Sequence, residues 1–237
     1  PIQECQFTTL GQNITALEID GTFDDCQALV KSAFMDDELN RHMKLTSANS
    51  INVARFLPQS FYYFNAYAQL DKLGKADNLV ISVPSGNFGN ITAGLFANWM
   101  GLPVKRFIAA NNRNDVFLEY LRTGVYTPRP SVATIANAMD VGDPSNYARI
   151  MDLFDIYGDK HHEICQHITG YRFTDEEIEY TIRYVYENDG YLLDPHGACG
   201  YQALIQYALE SDETGLFLET AHPAKFKGTV DRILDAD

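Results

Sequence analysis

The chain has 237 residues, 46% of them hydrophobic and 21% charged, enough to bury a core in one large domain or two small ones. Its 16 glycines and 9 prolines are scattered without period, and that excludes collagen-like and low-complexity chains; the ordinary apolar content excludes a disordered one. With 32 acidic residues against 18 basic ones, the net charge of −14 argues against non-specific nucleic-acid binding and against docking on anionic lipid. The best apolar run, 57–70, is interrupted by Pro58, Gln59 and Asn65 and falls short of the roughly 18 residues of a membrane helix. Cys5, Cys26, Cys165 and Cys199 form no Cys-x-x-Cys pair, and no signal or transit peptide is visible. That pattern reads as a cytoplasmic protein with free thiols. Residue 1 is Pro, and 7–19 already resembles the interior of a fold, so either an initiator segment was removed or the chain is the later part of a longer protein.

In chain order, 13–19 alternates apolar and polar residues as a short strand does. Gly21 ends it, and Thr22-Phe23-Asp24-Asp25 has the form of a capping box opening a helix. Cys26, Leu29, Val30, Ala33 and Phe34 mark the expected buried face of that helix. A second helix is expected over 50–73, bent at Pro58 and rich in aromatics. Residues 79–83 are an almost wholly apolar run, as in a strand covered on both faces. A helix over 91–100 follows, with Gly101 where a C-cap glycine belongs, and then a strand over 104–110, completing a parallel strand–helix–strand unit. Beyond Thr127-Pro128-Arg129-Pro130, a stiff loop, residues 131–189 read as mainly helical, with 176–186 amphipathic. Residues 215–219 are strand-like, and 223–234 helical with Pro223 at a favoured first position. Alternation at both ends makes this an α/β chain with a parallel sheet, divided into an α/β region over 1–130, a mainly helical insertion over 131–189 and a return to the α/β region over 190–237.

Three segments carry chemistry. Pro84-Ser85-Gly86-Asn87-Phe88-Gly89-Asn90 lies between a buried strand and a helix, where glycines and a helix N-terminus together form an anion cradle without a basic side chain. It lacks the Gly-Lys-Ser/Thr of a Walker loop and the Gly-x-Gly-x-x-Gly of a dinucleotide site, which points to a monophosphate. A tight turn whose glycines only relieve sterics fits the same spacing. In Thr46-Ser47-Ala48-Asn49-Ser50-Ile51-Asn52-Val53-Ala54-Arg55, donors precede a helix and a guanidinium projects from its first turns. That suits a second phosphate or a carboxylate, or else Ser50 is only a cap and Arg55 a surface ion-pair partner. Glu219-Thr220-Ala221-His222-Pro223 puts Thr220 at the carboxyl end of an expected strand, the edge where open α/β sheets bind ligands; Thr220 and His222 as helix caps are the alternative. His161, His162, Cys165 and His167 have partial metal-ligand spacing that does not assure three converging ligands, so no metal is assigned. Asp194-Pro195-His196-Gly197 reads as a cap for the helix after it, and no Gly-x-Ser-x-Gly elbow is present.

Taken together, these segments resemble the threonine synthase family, in its bacterial and fungal branch. Gly101-Leu102-Pro103-Val104-Lys105-Arg106-Phe107, Asn137-Ala138-Met139-Asp140-Val141 and Gly21-Thr22-Phe23-Asp24-Asp25 fit the same family, in the same order, over nearly the whole chain. The resemblance implies a parallel-sheet pyridoxal-phosphate fold of type II, the tryptophan-synthase β type, and conversion of O-phospho-L-homoserine and water to L-threonine and phosphate. It implies that Gly86, Asn87, Phe88, Gly89 and Asn90 hold the cofactor phosphate, that Thr220 meets the pyridine nitrogen, and that Asn49, Ser50 and Arg55 hold the substrate phosphate. The family's Schiff-base lysine lies in a Phe-Lys-Asp context, which is absent here; Phe226-Lys227 is followed by Gly228. The expectation is therefore a C-terminal part, incomplete at its N-terminus, with no catalytic lysine of its own, partnered by the missing N-terminal part and inactive alone. Another lyase or dehydratase of this cofactor fold, and a non-catalytic phosphate- or amino-acid-binding module, are the alternatives.

Overall fold

The computed structural model describes residues 12–50 and 52–235, so Cys5, Ile51 and the start of the 7–19 stretch lie outside it. Four parallel strands form one sheet, β1 (Leu79–Pro84), β2 (Val104–Asn111), β3 (Ile168–Arg172) and β4 (Thr214–Phe217), ordered β3-β2-β1-β4. Around it lie α1 (Phe23–Met35), α2 (Asp37–His42), α3 (Val53–Phe56), α4 (Ser60–Lys72), α5 (Gly89–Trp99), α6 (Val116–Thr123), α7 (Tyr147–Leu153), α8 (Lys160–His167), α9 (Asp175–Asp189), α10 (Pro195–Tyr207) and α11 (Lys227–Leu234).

The central strand β1 is buried throughout, and its side chains alternate between two cores. Leu79, Ile81 and Val83 join Phe107, Ile91, Leu95 and residues of α3 to α8. Val80 joins Ile108 on the opposite face, with Ile178, Ile182 and Ala198 of α9 and α10. A strand covered on both sides needs apolar residues at consecutive positions, which is why 79–83 shows no polar alternation. Ser82 is the polar exception, and its Oγ donates to the Gly200 carbonyl at 2.7 Å, so its burial leaves no donor unpaired.

Several local expectations hold and several do not. The Thr22 capping box forms, with Thr22 N–H donating to Asp25 Oδ2 and Asp25 N–H to Thr22 Oγ1. The face behind it stays open: Leu29 is 58% exposed, and Val30 and Phe34 are exposed as well, because no described element covers that stripe. Residues 13–19 are not a strand. All are exposed and none pairs with the sheet, and alternation without a neighbouring strand leaves backbone groups to water. The helix expected over 50–73 is three pieces, α3, a 3₁₀ turn at Leu57–Gln59 and α4, broken where Pro58 has no N–H to give. The 131–189 stretch contains β3 as well as helices; Gly170 interrupts the apolar pattern there, and pairing with β2 from Phe107↔Ile168 to Asn111↔Arg172 supplies what local sequence does not.

The topology sets the place of the site. β1 leads through α5 to β2 on one side, while β4 flanks β1 on the other, so the carboxyl ends of β1 and β4 part into a crevice. Among the described residues no helix is long and apolar enough to cross a membrane.

Candidate functional site

The loop after β1 is an open set of backbone donors. Ser85 N–H still bonds to the Ala110 carbonyl at 2.8 Å, but the N–H groups of Gly86, Asn87, Phe88, Gly89 and Asn90 find no acceptor among the described residues. Phe88, the N-cap of α5, offers no capping side chain and sits in the left-handed region at φ 63°. A bulky residue there costs about 1–2 kcal/mol, and its ring packs instead on Phe117 at 4.5 Å. A strained turn that leaves consecutive N–H groups and a helix N-terminus unsatisfied is built for an anion. Gly86 is required for a close approach: a Cβ there would stand 2.5 Å from Met139 Cα and 3.0 Å from the Ala138 oxygen. Asn90 clamps the turn, its Nδ2 donating to the Pro84 carbonyl at 2.7 Å, while Tyr63 donates its hydroxyl to the Asn90 carbonyl at 2.6 Å.

The second segment folds onto this loop through Ser50. Its Oγ accepts from Asn87 Nδ2 at 2.9 Å and from Asn146 Nδ2 at 3.2 Å, and its Cβ lies 3.0 Å from where Gly89 would carry one. Asn87 Oδ1 in turn accepts from Ser145 N and Oγ. Ser50 is not the helix cap: Asn52 takes that role, its side chain accepting from Ala54 N–H at 3.0 Å. Asn49 is exposed, and its Oδ1 accepts from the Ser50 N–H at 2.6 Å; it is not among the residues that line the cleft described next.

Arg55 is exposed and makes no ion pair among the described residues. It lines a cleft of about 810 Å³ together with Tyr62, Tyr63, Asn90, Glu219 and Thr220. The cleft therefore joins residues from all three segments. Thr220, three residues past the end of β4, makes no hydrogen bond within the described residues, whereas His222 Nδ1 caps the turn after it by accepting from Ala224 N–H at 3.1 Å.

Sequence reasoning passed over Arg149 and Asn146. Arg149 donates to the Ser50 carbonyl and to Asn146 Oδ1, and its guanidinium lies 4.7 Å over the Phe56 ring; burial holds its pKa below the ordinary value. Both residues lie more than 90 positions from Ser50, so no local pattern signals them. Asp194 does cap α10, accepting from the N–H groups of His196 and Gly197. In the histidine cluster, His161 Nε2 engages the carbonyls of Tyr120 and Leu121, and His167 Nδ1 engages that of Glu163.

Residues 5–218 match the family described as pyridoxal-phosphate dependent enzyme. Curated threonine synthases of Haemophilus influenzae and Escherichia coli are 51% and 50% identical over 99% of this chain, and the chain spans about half, 53%, of their length. The crystal structure of Escherichia coli threonine synthase superposes with a TM-score of 0.91 at 48% identity, covering 99% of this chain and 53% of that one. A fungal L-serine ammonia-lyase, 14% identical with a TM-score of 0.57 over 78% of this chain and 57% of its own, shares the fold alone. The parallel sheet is that of the type II cofactor fold, and the chain belongs to the pyridoxal-phosphate-dependent enzyme family.

Proposed function

We propose that the protein carrying this chain is a threonine synthase, which converts O-phospho-L-homoserine and water to L-threonine and phosphate with pyridoxal phosphate. The observation that carries the reading is the Ser50 node. Through Asn87 and Asn146 it ties a second anion-binding segment to the glycine loop, so that one site serves the cofactor phosphate and its neighbour the substrate phosphate. A lyase or dehydratase acting on an unphosphorylated amino acid needs only the first. The relatives near 50% identity over the whole chain support the same choice.

The residues fit the cofactor. Five consecutive N–H groups, from Gly86 to Asn90, without an acceptor among the described residues, and the N-terminus of α5 match a phosphate monoester without any side-chain cation. When bound, pyridoxal phosphate supplies the electron sink that lets the substrate phosphate leave and water add. Thr220, whose hydroxyl makes no hydrogen bond among the described residues, is assigned to the pyridine nitrogen. Ser50 orients from the loop side and Arg55 offers a bidentate fork to the substrate phosphate, while Asn49, assigned to the same phosphate by the resemblance, lies outside the cleft and is given no part in it. No lysine lines the cleft, and no Phe-Lys-Asp occurs in the sequence, so the lysine that the family uses is assigned to no residue of this chain.

The test is product analysis with the whole protein. O-phospho-L-homoserine should yield inorganic phosphate and L-threonine in equal amounts; ammonia release from serine or threonine without turnover of the phosphorylated substrate would overturn the reading. Arg55→Lys, which cannot reproduce the fork, should lower kcat/KM by about 1.5–3 kcal/mol while cofactor absorbance stays unchanged. Equal kinetics would leave Arg55 an exposed charge without a part in the reaction.

A further inference from the structure

His196 is a buried imidazole that none of the assignments above uses, 2% exposed at the start of α10 and beside the wholly buried Asp194. Both of its ring nitrogens are engaged. The backbone N–H of Ala138 donates to Nε2 at 3.1 Å, so that nitrogen carries no proton. Nδ1 faces Asp194 Oδ1 at 2.6 Å, where the one proton of a neutral ring belongs. Asp194 also accepts from the backbone N–H groups of His196 and Gly197, so the cap of α10 fixes the carboxylate that fixes the ring.

What the imidazole reaches is the back wall of the donor loop. Asn137–Met139 is a 3₁₀ turn whose N-cap, Ala136, has no side chain to offer, and Ala138 N–H is one of its first-turn donors. His196, 58 residues along the chain, supplies the acceptor that the turn lacks. The turn in its place presses on Gly86, where a Cβ would lie 2.5 Å from Met139 Cα and 3.0 Å from the Ala138 oxygen. The same helix grips the strand that feeds the loop. The Gly200 carbonyl accepts from Ser82 Oγ at 2.7 Å, and a Cβ on Gly200 would stand 3.3 Å from the Pro84 ring. Strand end and backing turn are thus referenced to one rigid element, α10, and the imidazole is its hydrogen bond to the turn.

We propose that His196 is a positioning residue for the cofactor phosphate. Its Nε2, kept bare because the proton sits on the Asp194 side of the ring, caps Ala138 N–H and holds the turn against Gly86. The N–H groups from Gly86 to Asn90 then keep the convergence that a phosphate requires. Without that acceptor a buried N–H is left unpaired, and the turn must shift to find water or another partner. His196 is not among the residues that line the cleft and acts through the turn alone. This role rests on the assignment of the loop to the cofactor phosphate and holds whichever reaction follows.

Pyridoxal phosphate and pyridoxal, each titrated by absorbance into the whole protein freed of cofactor, test it, because the difference between their affinities isolates the phosphate cradle. His196→Leu fills nearly the same space without an acceptor. It should shrink the preference for the phosphorylated form by about tenfold, with pyridoxal affinity within about twofold of wild type. His196→Gln, whose carbonyl can still meet Ala138 N–H, should restore most of the preference. A leucine variant that melts lower yet keeps the full preference would overturn the proposal, since His196 would then add stability alone; so would a glutamine variant no better than leucine. If His196→Leu fails to fold, the wild type decides. Long-range proton–nitrogen NMR should show Nδ1 protonated and Nε2 bare, and the Ala138 amide signal should move when pyridoxal phosphate replaces pyridoxal. A protonated Nε2 or an unmoved amide would overturn it. Equal wild-type affinities for the two ligands would remove the cradle itself, and this role with it, whereas an undiminished preference in the leucine variant leaves the cradle standing.

Discussion

Gly86→Ala isolates the packing that shapes the donor loop. Gly86 is not in the left-handed region, so alanine meets no backbone penalty, and the whole effect comes from what its methyl touches. That methyl would lie 2.5 Å from Met139 Cα, 3.0 Å from the Ala138 oxygen and 3.2 Å from the Met139 carbonyl carbon, where ordinary contact begins at 3.4 Å. The obstacle is main chain and cannot swing aside as a side chain would. It is also tied down: Ala138 N–H bonds to His196, Met139 N–H bonds to the Ala136 carbonyl at 3.0 Å, and Asp140 accepts from Asn112, Asn114 and Thr134. Relief therefore moves the loop or breaks those bonds, a cost of about 1–3 kcal/mol for overpacking. With a urea m-value of roughly 2 kcal/mol per molar, the midpoint should fall by about 0.5–1.5 M at unchanged m. Phosphate affinity of the folded protein, measured by calorimetry, should drop as well. Gly228→Ala is the control: nothing lies within 4 Å of its added methyl, and in the first turn of α11 it should leave stability equal or up to about 1 kcal/mol higher. Equal midpoints and equal phosphate affinity for Gly86→Ala would refute the claim that the 137–139 turn shapes the loop.

Thr220→Val should lower cofactor affinity by about 1–3 kcal/mol in an absorbance titration while the apo melting temperature holds, because Thr220 caps nothing; His222→Ala should instead lower apo stability by about 0.5–2 kcal/mol. Asn87→Ala removes the amide that joins Ser50 to Ser145, and should destabilise by about 1–3 kcal/mol in urea and weaken phosphate binding together; a loss of stability with unchanged binding would separate the node from the site. The raised Glu219 pKa carries a sign: the folded state holds a proton the unfolded state releases, so this stability is full below the unfolded pKa and is lost as pH rises through the folded one. Asp194, lowered, acts oppositely and loses its share as pH falls. Urea midpoints from pH 5 to the alkaline side should thus decline in wild type relative to Glu219→Gln, and parallel curves would count against the raised pKa of Glu219.

What the sequence determined by itself is what depends on neighbours a few residues away. The unbroken apolar run of β1, the glycine loop entering α5, the Thr22 box and the Asp194 cap are short-range patterns, and each forms where it was read. The apolar stripe of α1 and the alternation of 13–19 were equally legible, yet Leu29, Val30, Phe34 and all of 13–19 stay exposed, since a face is covered only if some other element comes to lie on it. Tertiary structure alone decided that β3 completes the sheet edge, that Arg149 and Asn146 meet Ser50, and that Asn49 stays at the surface while Arg55, Asn90 and Thr220 share one cleft. It also decided how Glu219 titrates. A carboxyl read in sequence has an ordinary pKa; burial and the neighbouring Asp194 raise that of Glu219. Protonation follows from desolvation and from partners in space, and neither quantity is written along the chain.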